Sequence, residues 1–406
     1  MTTDALTRDP SALPLAAGGA TRGSAAAPLP ARLAQLFRPR GVLGGAPSGA
    51  LSGMHHPLLP LLCAYHDQAT PATPAQPVVQ TTPAKPATPA TPAEAAVQAH
   101  RPVTATAAGP VATAALAPTA PPSALPGIDT LTQHITALPP LPEAMTAVLL
   151  ALNRAHLSAN RSIELIEHDP ALAARLLRLA NSAFYGVPGR VASIGDAVRM
   201  LGLRTVSGVL AAASVHNAIR IESCPGFDFQ AYWQHAIACA LAARALAPIA
   251  GLDADEAFLA GLMHDIGQLA LAAFYPSHAS AALAHAQAND LPPEHAEQAV
   301  LGIAHPQVGA LLATHWHFPA PVVRAIAHHH APEPAGNGQR LSLSGLVQVA
   351  DAVAHALDLL ADPNEAVPAI DPAIWQALAL SQADAVRIFA EVAHGTHEIS
   401  ALLHQA

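Results

Sequence analysis

Two aspartates of this 406-residue chain lie in apolar surroundings that a fold would bury. Asp265 follows His264 within AFLAGLMHDIGQLALAAF, and Asp351 lies within LSGLVQVADAVAHAL with His355 one helical turn later. A buried carboxylate is costly unless it is paired, hydrogen-bonded or bound to a cation. An aspartate that caps a loop or neutralises a histidine is the alternative at each position. The surroundings therefore predict either a cation or a buried ion pair.

A first metal position can be built from residues of these segments. His235 lies on the apolar stripe of FQAYWQHAIACALAARALA, where a histidine satisfied by core packing is the alternative. Together with His264, Asp265 and Asp351 it would offer nitrogen and oxygen donors to an octahedral divalent ion. We expect Mn, Fe or Mg, with positions left for water or phosphate.

A second metal position could lie beside the first. His305 stands at the start of a predicted helix, and His329 and His330 stand at the end of another, with His328 as a bystander. Two metals that share Asp265 would suit phosphoester hydrolysis, and Asp265 would then be the catalytic residue. Histidine is common here, with 23 residues, so packing remains an alternative for part of the set.

Small residues surround the His-Asp pair. Ala257, Ala260, Gly261, His264 and Gly267 would share one face of a single helix, which we predict over residues 254–272. A face this small lets a neighbouring helix approach closely while His264 projects between the two.

The chain beyond residue 131 has helical periodicity and lacks a convincing alternating strand pattern, which predicts an all-α bundle. SIGD (193–196) and DADE (253–256) are typical helix starts. The predicted helices cover 143–155, 162–168, 170–181, 195–201, 203–220, 228–248, 254–272, 277–288, 293–301, 306–315, 320–329 and 341–360, with one or two more in the tail.

The domain organisation follows from shifts in composition. Residues 1–67 are predicted to be mostly disordered, because coil is favoured over a docking helix for ARLAQLFRPR and HHPLLPLLCAYH. Proline, alanine and threonine dominate the next segment, which predicts a disordered linker that mild proteolysis would cut. The predicted units are 1–67, the linker 68–130, a folded domain 131–370 divided into 131–222 and 223–370, and a helical extension 371–406.

Composition argues against several classes of partner. The formal charge is −9 and Lys85 is the only lysine, so nucleic-acid binding is disfavoured. No uncharged apolar run of about 18 residues occurs, which argues against a membrane span. Three cysteines without a CxxC spacing favour a reducing cytoplasm.

The ordered set of His235, His264-Asp265, His305, His329-His330 and Asp351 resembles the pattern of the HD superfamily. The surrounding sequence is similar to the HDOD family from about residue 138 to 360. The landmarks are LPPLPEAMTAVLLALN, IELIEHDPALAARLLRLANSAFYG, SIGDAVRMLGLRTV, YWQHA, AFLAGLMHDIGQLAL, HPQVGALLATHWHFP, AIAHHHAP and VQVADAVAHAL.

The resemblance implies an HD-type helical bundle in which a helical subdomain packs on an HD-like half. HDOD domains are generally regulatory modules, many with degraded metal sites, whereas this ligand set is complete. The chain departs from active HD-GYP phosphodiesterases at Gln268, where a lysine is usual, and in lacking a GYP motif after His330. The resemblance also implies that Asn181 and Ser182 cap backbone at a helix junction.

Three functions remain open. The first is a non-catalytic signalling module that contacts an unidentified protein partner, either with a structural divalent metal in the buried site or without one. The second is a metal-dependent phosphohydrolase acting on a nucleotide or cyclic dinucleotide. The third is a scaffold that functions through the N-terminal arm. The sequence predicts no oligomeric state.

Overall fold

The computed structural model describes residues 29–38, 56–69, 128–138, 141, 146, 163, 166–167, 170–181, 191–219, 223–336, 339–360 and 365–403. Within these ranges every regular element is a helix and no strand occurs. The predicted all-α fold is therefore confirmed. The predicted helix over 143–155 and most of that over 162–168 lie outside the described residues, as do Ser182 and most of the linker.

Six helices precede residue 220 in the described residues; the first three were not predicted, and the last three have bounds close to those predicted. They are α1 (Leu29–Leu36), α2 (Leu58–Ala69), α3 (Ile128–Ala137), α4 (Pro170–Ala180), α5 (Ile194–Leu201) and α6 (Leu203–Ala218). Ser193 caps α5 by accepting a hydrogen bond from the backbone N–H of Asp196. Asn181 accepts from Val191 N and donates to Leu177 O and Val191 O, so its predicted capping role is confirmed.

Ten further helices follow in the described residues. They are α7 (Phe229–Ala250), α8 (Ala254–Met263), α9 (Ile266–Phe274), α10 (Pro276–Asn289), α11 (Pro293–Leu301), α12 (His305–His315), α13 (Ala320–His328), α14 (Leu343–Leu357), α15 (Pro372–Leu378) and α16 (Gln382–Leu403). The last two confirm the helices predicted in the tail.

Helix α7 is the centre of this half, and α8, α14 and α16 pack around it. Its alanines let neighbouring backbones approach closely. A Cβ on Gly261 of α8 would lie 2.9 Å from Ala240 Cα, so these two helices are almost in backbone contact. The predicted close approach of a neighbouring helix is confirmed at Gly261, whereas Gly267 lies beyond a break in the helix and contacts a different one.

The prediction of one continuous helix over 254–272 is wrong. Helix α8 ends at Met263 and α9 begins at Ile266, so His264 and Asp265 form a turn between them. Asp265 has φ −99° and ψ 12°, outside helical values. The break lets Gly267 meet α12, because a Cβ there would lie 2.0 Å from His305 O.

The stretch Ala254–Phe274 is long and apolar enough to cross a membrane by length and composition alone. It is 83% buried inside the domain over its most apolar window. A core helix pair of a water-facing domain passes the same test, so the stretch gives no support for a membrane span.

The preference for coil in the two N-terminal stretches is wrong. Helices α1 and α2 pack on the second half through buried leucines, among them Leu33, Leu36, Leu58 and Leu62. Amphipathic helices this short are unstable alone, and burial of their apolar faces stabilises them here. The rest of residues 1–127 lies outside the described residues, where disorder remains a prediction.

The predicted domain boundaries meet two described helices. The linker boundaries at 67 and 130 fall inside α2 and α3. The two predicted subdomains contact each other through α6 and α8, where a Cβ on Gly208 would lie 3.3 Å from the Phe258 ring. The division at 222 remains a prediction.

Candidate metal centre

All seven residues predicted as metal ligands come together at one place. They form two groups, in each of which the possible ligand atoms lie within 4.8 Å of one another. The first group is His235, His264 and Asp351, and the second is Asp265, His305, His329 and His330.

The first group is assembled from the centre of the bundle. His235 is on α7, His264 is in the turn after α8, and Asp351 is on α14. His235 Nε2 lies 3.0 Å from Asp351 Oδ1, and His264 Nε2 lies 3.6 Å from the same oxygen. The Nε2 atoms of the two histidines are 3.3 Å apart.

The second group surrounds Asp265, which belongs to the same turn as His264. Its Oδ1 lies 3.2 Å from His305 Nε2 and 3.4 Å from His329 Nε2. His305 Nε2 is also 3.0 Å from His330 Nε2. Asp265 Oδ2 lies 3.4 Å from His264 Nε2, so the carboxylate reaches both groups, as the sequence predicted.

Three of the histidines have their Nδ1 atoms occupied. His264 Nδ1 donates to Gly261 O and His329 Nδ1 donates to Ile326 O, and each N–O distance is 2.8 Å. His305 Nδ1 lies 2.7 Å from Glu297 Oε2. This arrangement fixes the ring orientation and leaves Nε2 as the ligand atom, which is the usual support for metal-binding histidines.

The contacts among the Nε2 atoms are poor hydrogen bonds when Nδ1 carries the proton, because both nitrogens are then acceptors. Asp265 Oδ1 is buried and forms no hydrogen bond of good geometry with any described residue. Such a carboxylate oxygen, facing two histidine nitrogens, is costly without a cation. The donors therefore fit a divalent metal.

In the absence of a metal, the close approach of these buried ionisable groups shifts their pKa values. Burial lowers the pKa of His305, but the charges of Glu297 and Asp265 raise it to about 10. Burial would raise the pKa of Asp265, but His264 and His305 hold it well below its usual value. Burial and the nearby His329 and His305 lower the pKa of His330 to about 2.

Sequence reasoning missed three acidic residues that support the site. Glu297 on α11 faces the ring of His305. Its Oε2 also accepts a hydrogen bond from the backbone N–H of His305, with an N–O distance of 2.7 Å. Glu365 faces His355, whose Nε2 lies 3.2 Å from Asp351 Oδ1. Glu294 Oε2 is 3.8 Å from His330 Nε2. Their distances along the chain gave no local signal, although a buried histidine should have prompted a search for a carboxylate.

Gln268 occupies the position where an HD-GYP lysine is usual. Its side-chain amide donates to Asp265 Oδ2 over 2.8 Å. It orients the carboxylate without adding positive charge. Gln268 and Glu297 also line an apolar cleft behind the site, with Phe227, Leu271, Ala279, Ala282, Leu283, Ala286 and Pro293.

The site faces solvent through two of its histidines, His235 and His330. The side chains of His235 and His330 are 18% and 26% exposed. His305 and His329 are fully buried, and Asp265 is 8% exposed. Trp233 and Trp316 are buried in the core.

Two solved structures share both fold and moderate sequence identity with this chain. A protein of Shewanella amazonensis SB2B, provisionally named a phosphohydrolase, is 29% identical with a TM-score of 0.54, covering 67% of this chain and 97% of that one. A protein of Marinobacter aquaeolei VT8, provisionally named a signal transduction protein, is 27% identical with a TM-score of 0.56, covering 68% and 61%.

A further solved structure, a curated relative and a family model are also similar to this chain. An HDOD domain protein of unknown function from Geobacter sulfurreducens is 23% identical with a TM-score of 0.53, covering 68% of this chain and 97% of that one, which supports the fold alone. An uncharacterised protein of Treponema pallidum (strain Nichols) is 27% identical over 209 residues, half of this chain. The chain spans 40% of the length of that curated relative. The HDOD domain family itself matches residues 138–332, and we conclude that the chain carries an HDOD domain.

Proposed function

We propose that this chain is a signal-transduction HDOD module that holds divalent metal in its HD-like site and does not use that metal for catalysis. The main observation in favour of a metal is that histidine Nε2 atoms converge on Asp265 Oδ1, a buried oxygen that forms no hydrogen bond of good geometry with the described residues. We expect Mn, Fe or Mg, bound by His235, His264, Asp265, His305, His329, His330 and Asp351.

The chemistry around Asp265 supports the non-catalytic part of the proposal. Gln268 supplies a neutral amide to Asp265 where a lysine would supply a positive charge for phosphate and a proton. The aspartate and its two closest histidines are buried, so the ligands would support the fold more than they would meet a substrate. The name of the Marinobacter relative is consistent with a signalling role.

A metal-dependent phosphohydrolase is the second candidate, and one observation favours it. Asp265 has one oxygen toward each group, as a carboxylate shared by two metals would. A bound metal pair would supply Lewis acidity and a water of lowered pKa. Asp265 would then be the catalytic residue, and the substrate would be a nucleotide or cyclic dinucleotide.

The proposed signalling function also requires a protein partner. We propose that output passes by contact with another cytoplasmic protein, because the sequence offers neither a basic field for nucleic acid nor a typical membrane span.

A hydrolysis assay separates the two candidates. The full chain, loaded with Mn²⁺, would be incubated with bis-p-nitrophenyl phosphate and with a cyclic dinucleotide, alongside Asp265→Ala. We expect metal binding by the wild type and no hydrolysis above the Asp265→Ala background. Turnover that requires both metal and Asp265 would favour the hydrolase and contradict the non-catalytic proposal.

A further inference from the structure

His355 contacts the candidate metal site without belonging to either ligand group. Its Nε2 lies 3.2 Å from Asp351 Oδ1, one helical turn away on α14. Its Nδ1 faces Glu365 Oε1. Because both ring nitrogens face carboxylates, the imidazole has the contacts of a bridge between them rather than those of a ligand with a free nitrogen.

Glu365 lies outside the helices, so its position depends on the segment that carries it. This segment, residues 365–371, leads into α15 and contacts the N-terminal helices. Val367 N donates to Leu36 O over 2.8 Å, and His56 Nε2 lies 3.1 Å from Pro368 O. Residues of the N-terminal segment thus hold the chain within three residues of Glu365.

The same N-terminal segment also holds the end of α14. Arg32 forms two contacts of 2.5 Å with the carboxylate of Asp358, the residue that ends this helix. Asp358 has φ +47°, a left-handed conformation that is unfavourable for most residues other than glycine. A bidentate arginine contact there stabilises the helix end that follows Asp351 and His355.

We propose that His355 and Glu365 are positioning residues for Asp351, and that docking of residues 29–38 and 56–69 on segment 365–371 fixes them in place. This inference rests on the proposed metal-binding function and deepens it. A signal that moves the N-terminal helices would then change how tightly Asp351 holds metal, while the ligands around Asp265 keep their own supports, Glu297 and Gln268.

Cobalt titration of the full-length chain tests this proposal, with d–d absorption reporting the ligands of each Co²⁺. The test variants are Glu365→Gln and Arg32→Gln, and the matched controls are Glu391→Gln and Arg387→Gln on the exposed face of α16. Thermal unfolding would be followed in parallel to confirm that each variant is folded. Arg32→Lys, which keeps the charge, replaces Arg32→Gln if that variant fails to fold.

We expect Glu365→Gln to weaken one of two Co²⁺ sites by about 10- to 100-fold, the usual cost of losing such a support. Arg32→Gln should weaken Co²⁺ binding at the same site by a smaller factor. Because the two residues act through one segment, the double variant should weaken binding by less than the product of the two single factors. The controls should match the wild type. In His355→Gln the weakened site should keep its spectrum, because no ligand is lost.

Three results would overturn the proposal. Unchanged Co²⁺ affinity in Glu365→Gln or in Arg32→Gln contradicts it while leaving the proposed function intact. A spectrum that loses one nitrogen ligand in His355→Gln makes His355 a ligand instead. A wild-type chain that binds no Co²⁺ contradicts the proposed function, and this inference falls with it.

Discussion

The two halves of the candidate metal centre are built alike but supported differently. In each, an aspartate oxygen contacts histidines, and one histidine is backed by a glutamate: Glu297 behind His305 and Glu365 behind His355. The Asp265 half is held by helices whose backbones touch at Gly267. In the Asp351 half, the glutamate behind His355 lies on a non-helical segment that contacts the N-terminal helices.

This difference separates a rigid part of the site from an adjustable one. Close helix packing has few alternative arrangements, so the Asp265 half should change little once the domain is folded. The contacts that fix Glu365 involve a part of the chain that is distant in sequence. A regulatory domain would gain from this division, because a signal could act on one metal position and spare the other.

Removal of each aspartate should give the largest contrast. In metal-free protein, Asp265→Ala should lower the free energy of unfolding by about 3–5 kcal/mol, because it leaves buried histidines without their counter-charge. Asp351→Ala should cost less, since His235 and His355 are partly exposed and can be hydrated. Urea denaturation in a chelator measures both values, and equal losses would remove the proposed distinction.

A methyl group at Gly267 should damage the rigid half. Gly267→Ala should lower the free energy of unfolding by about 1–3 kcal/mol, because its Cβ would overlap His305 O unless α9 and α12 separate. Gly195→Ala is the matched control, with its nearest neighbour at 3.6 Å in a helix where alanine is favourable. A tolerated Gly267→Ala would show that the backbone contact does not hold the site.

Substitution of Glu297, the glutamate of the rigid half, should affect the metal position at Asp265, which Glu365→Gln should leave unchanged. Glu297→Gln should weaken binding at the Asp265 position by about 10- to 100-fold, because the Nδ1 proton of His305 then faces a neutral amide instead of a carboxylate. The Asp351 position should keep its affinity. Competitive titration with Co²⁺ resolves the two, and loss of the same position in both variants would contradict the assignment.

Metal affinity at the Asp265 position should depend on pH. His305, with a pKa of about 10 without metal, is protonated at neutral pH and must lose a proton to bind. His330, with a pKa of about 2, is already neutral. Apparent affinity at the Asp265 position should therefore rise with pH, by at most about ten-fold per unit for one proton, until the pH approaches 10.

Calorimetric titrations at two pH values, in buffers of different ionisation enthalpy, measure the released protons. Binding that releases no proton at pH 7 would contradict the proposed charge of His305.

The grouping of the candidate site residues could be predicted from sequence because an aspartate in an apolar helix carries its own energetic signal. Asp265 and Asp351 showed this, and His355 could be paired with Asp351 because a spacing of four residues places both on one helix face. The helix ranges of the second half were also predicted closely, since amphipathic periodicity and caps are local properties.

Other features could not be read from local pattern. The turn at His264 and Asp265 lies in a sequence with every property of a continuous helix, and only contact with α12 explains the break. Glu297 and Glu365 became visible only when the fold brought them to their histidines. Helices α1 and α2 are too short to be stable alone, and their stability comes from a surface that the local sequence does not contain.

Elemental analysis of the full-length protein, purified without chelator at known concentration, tests the central claim most directly. The control is Asp265→Ala, purified in the same way and shown to be folded. The account predicts near-stoichiometric Mn, Fe or another divalent metal in the wild type and a large loss in the variant. A folded wild type without metal, or equal metal in both proteins, would contradict a metal centre built around Asp265.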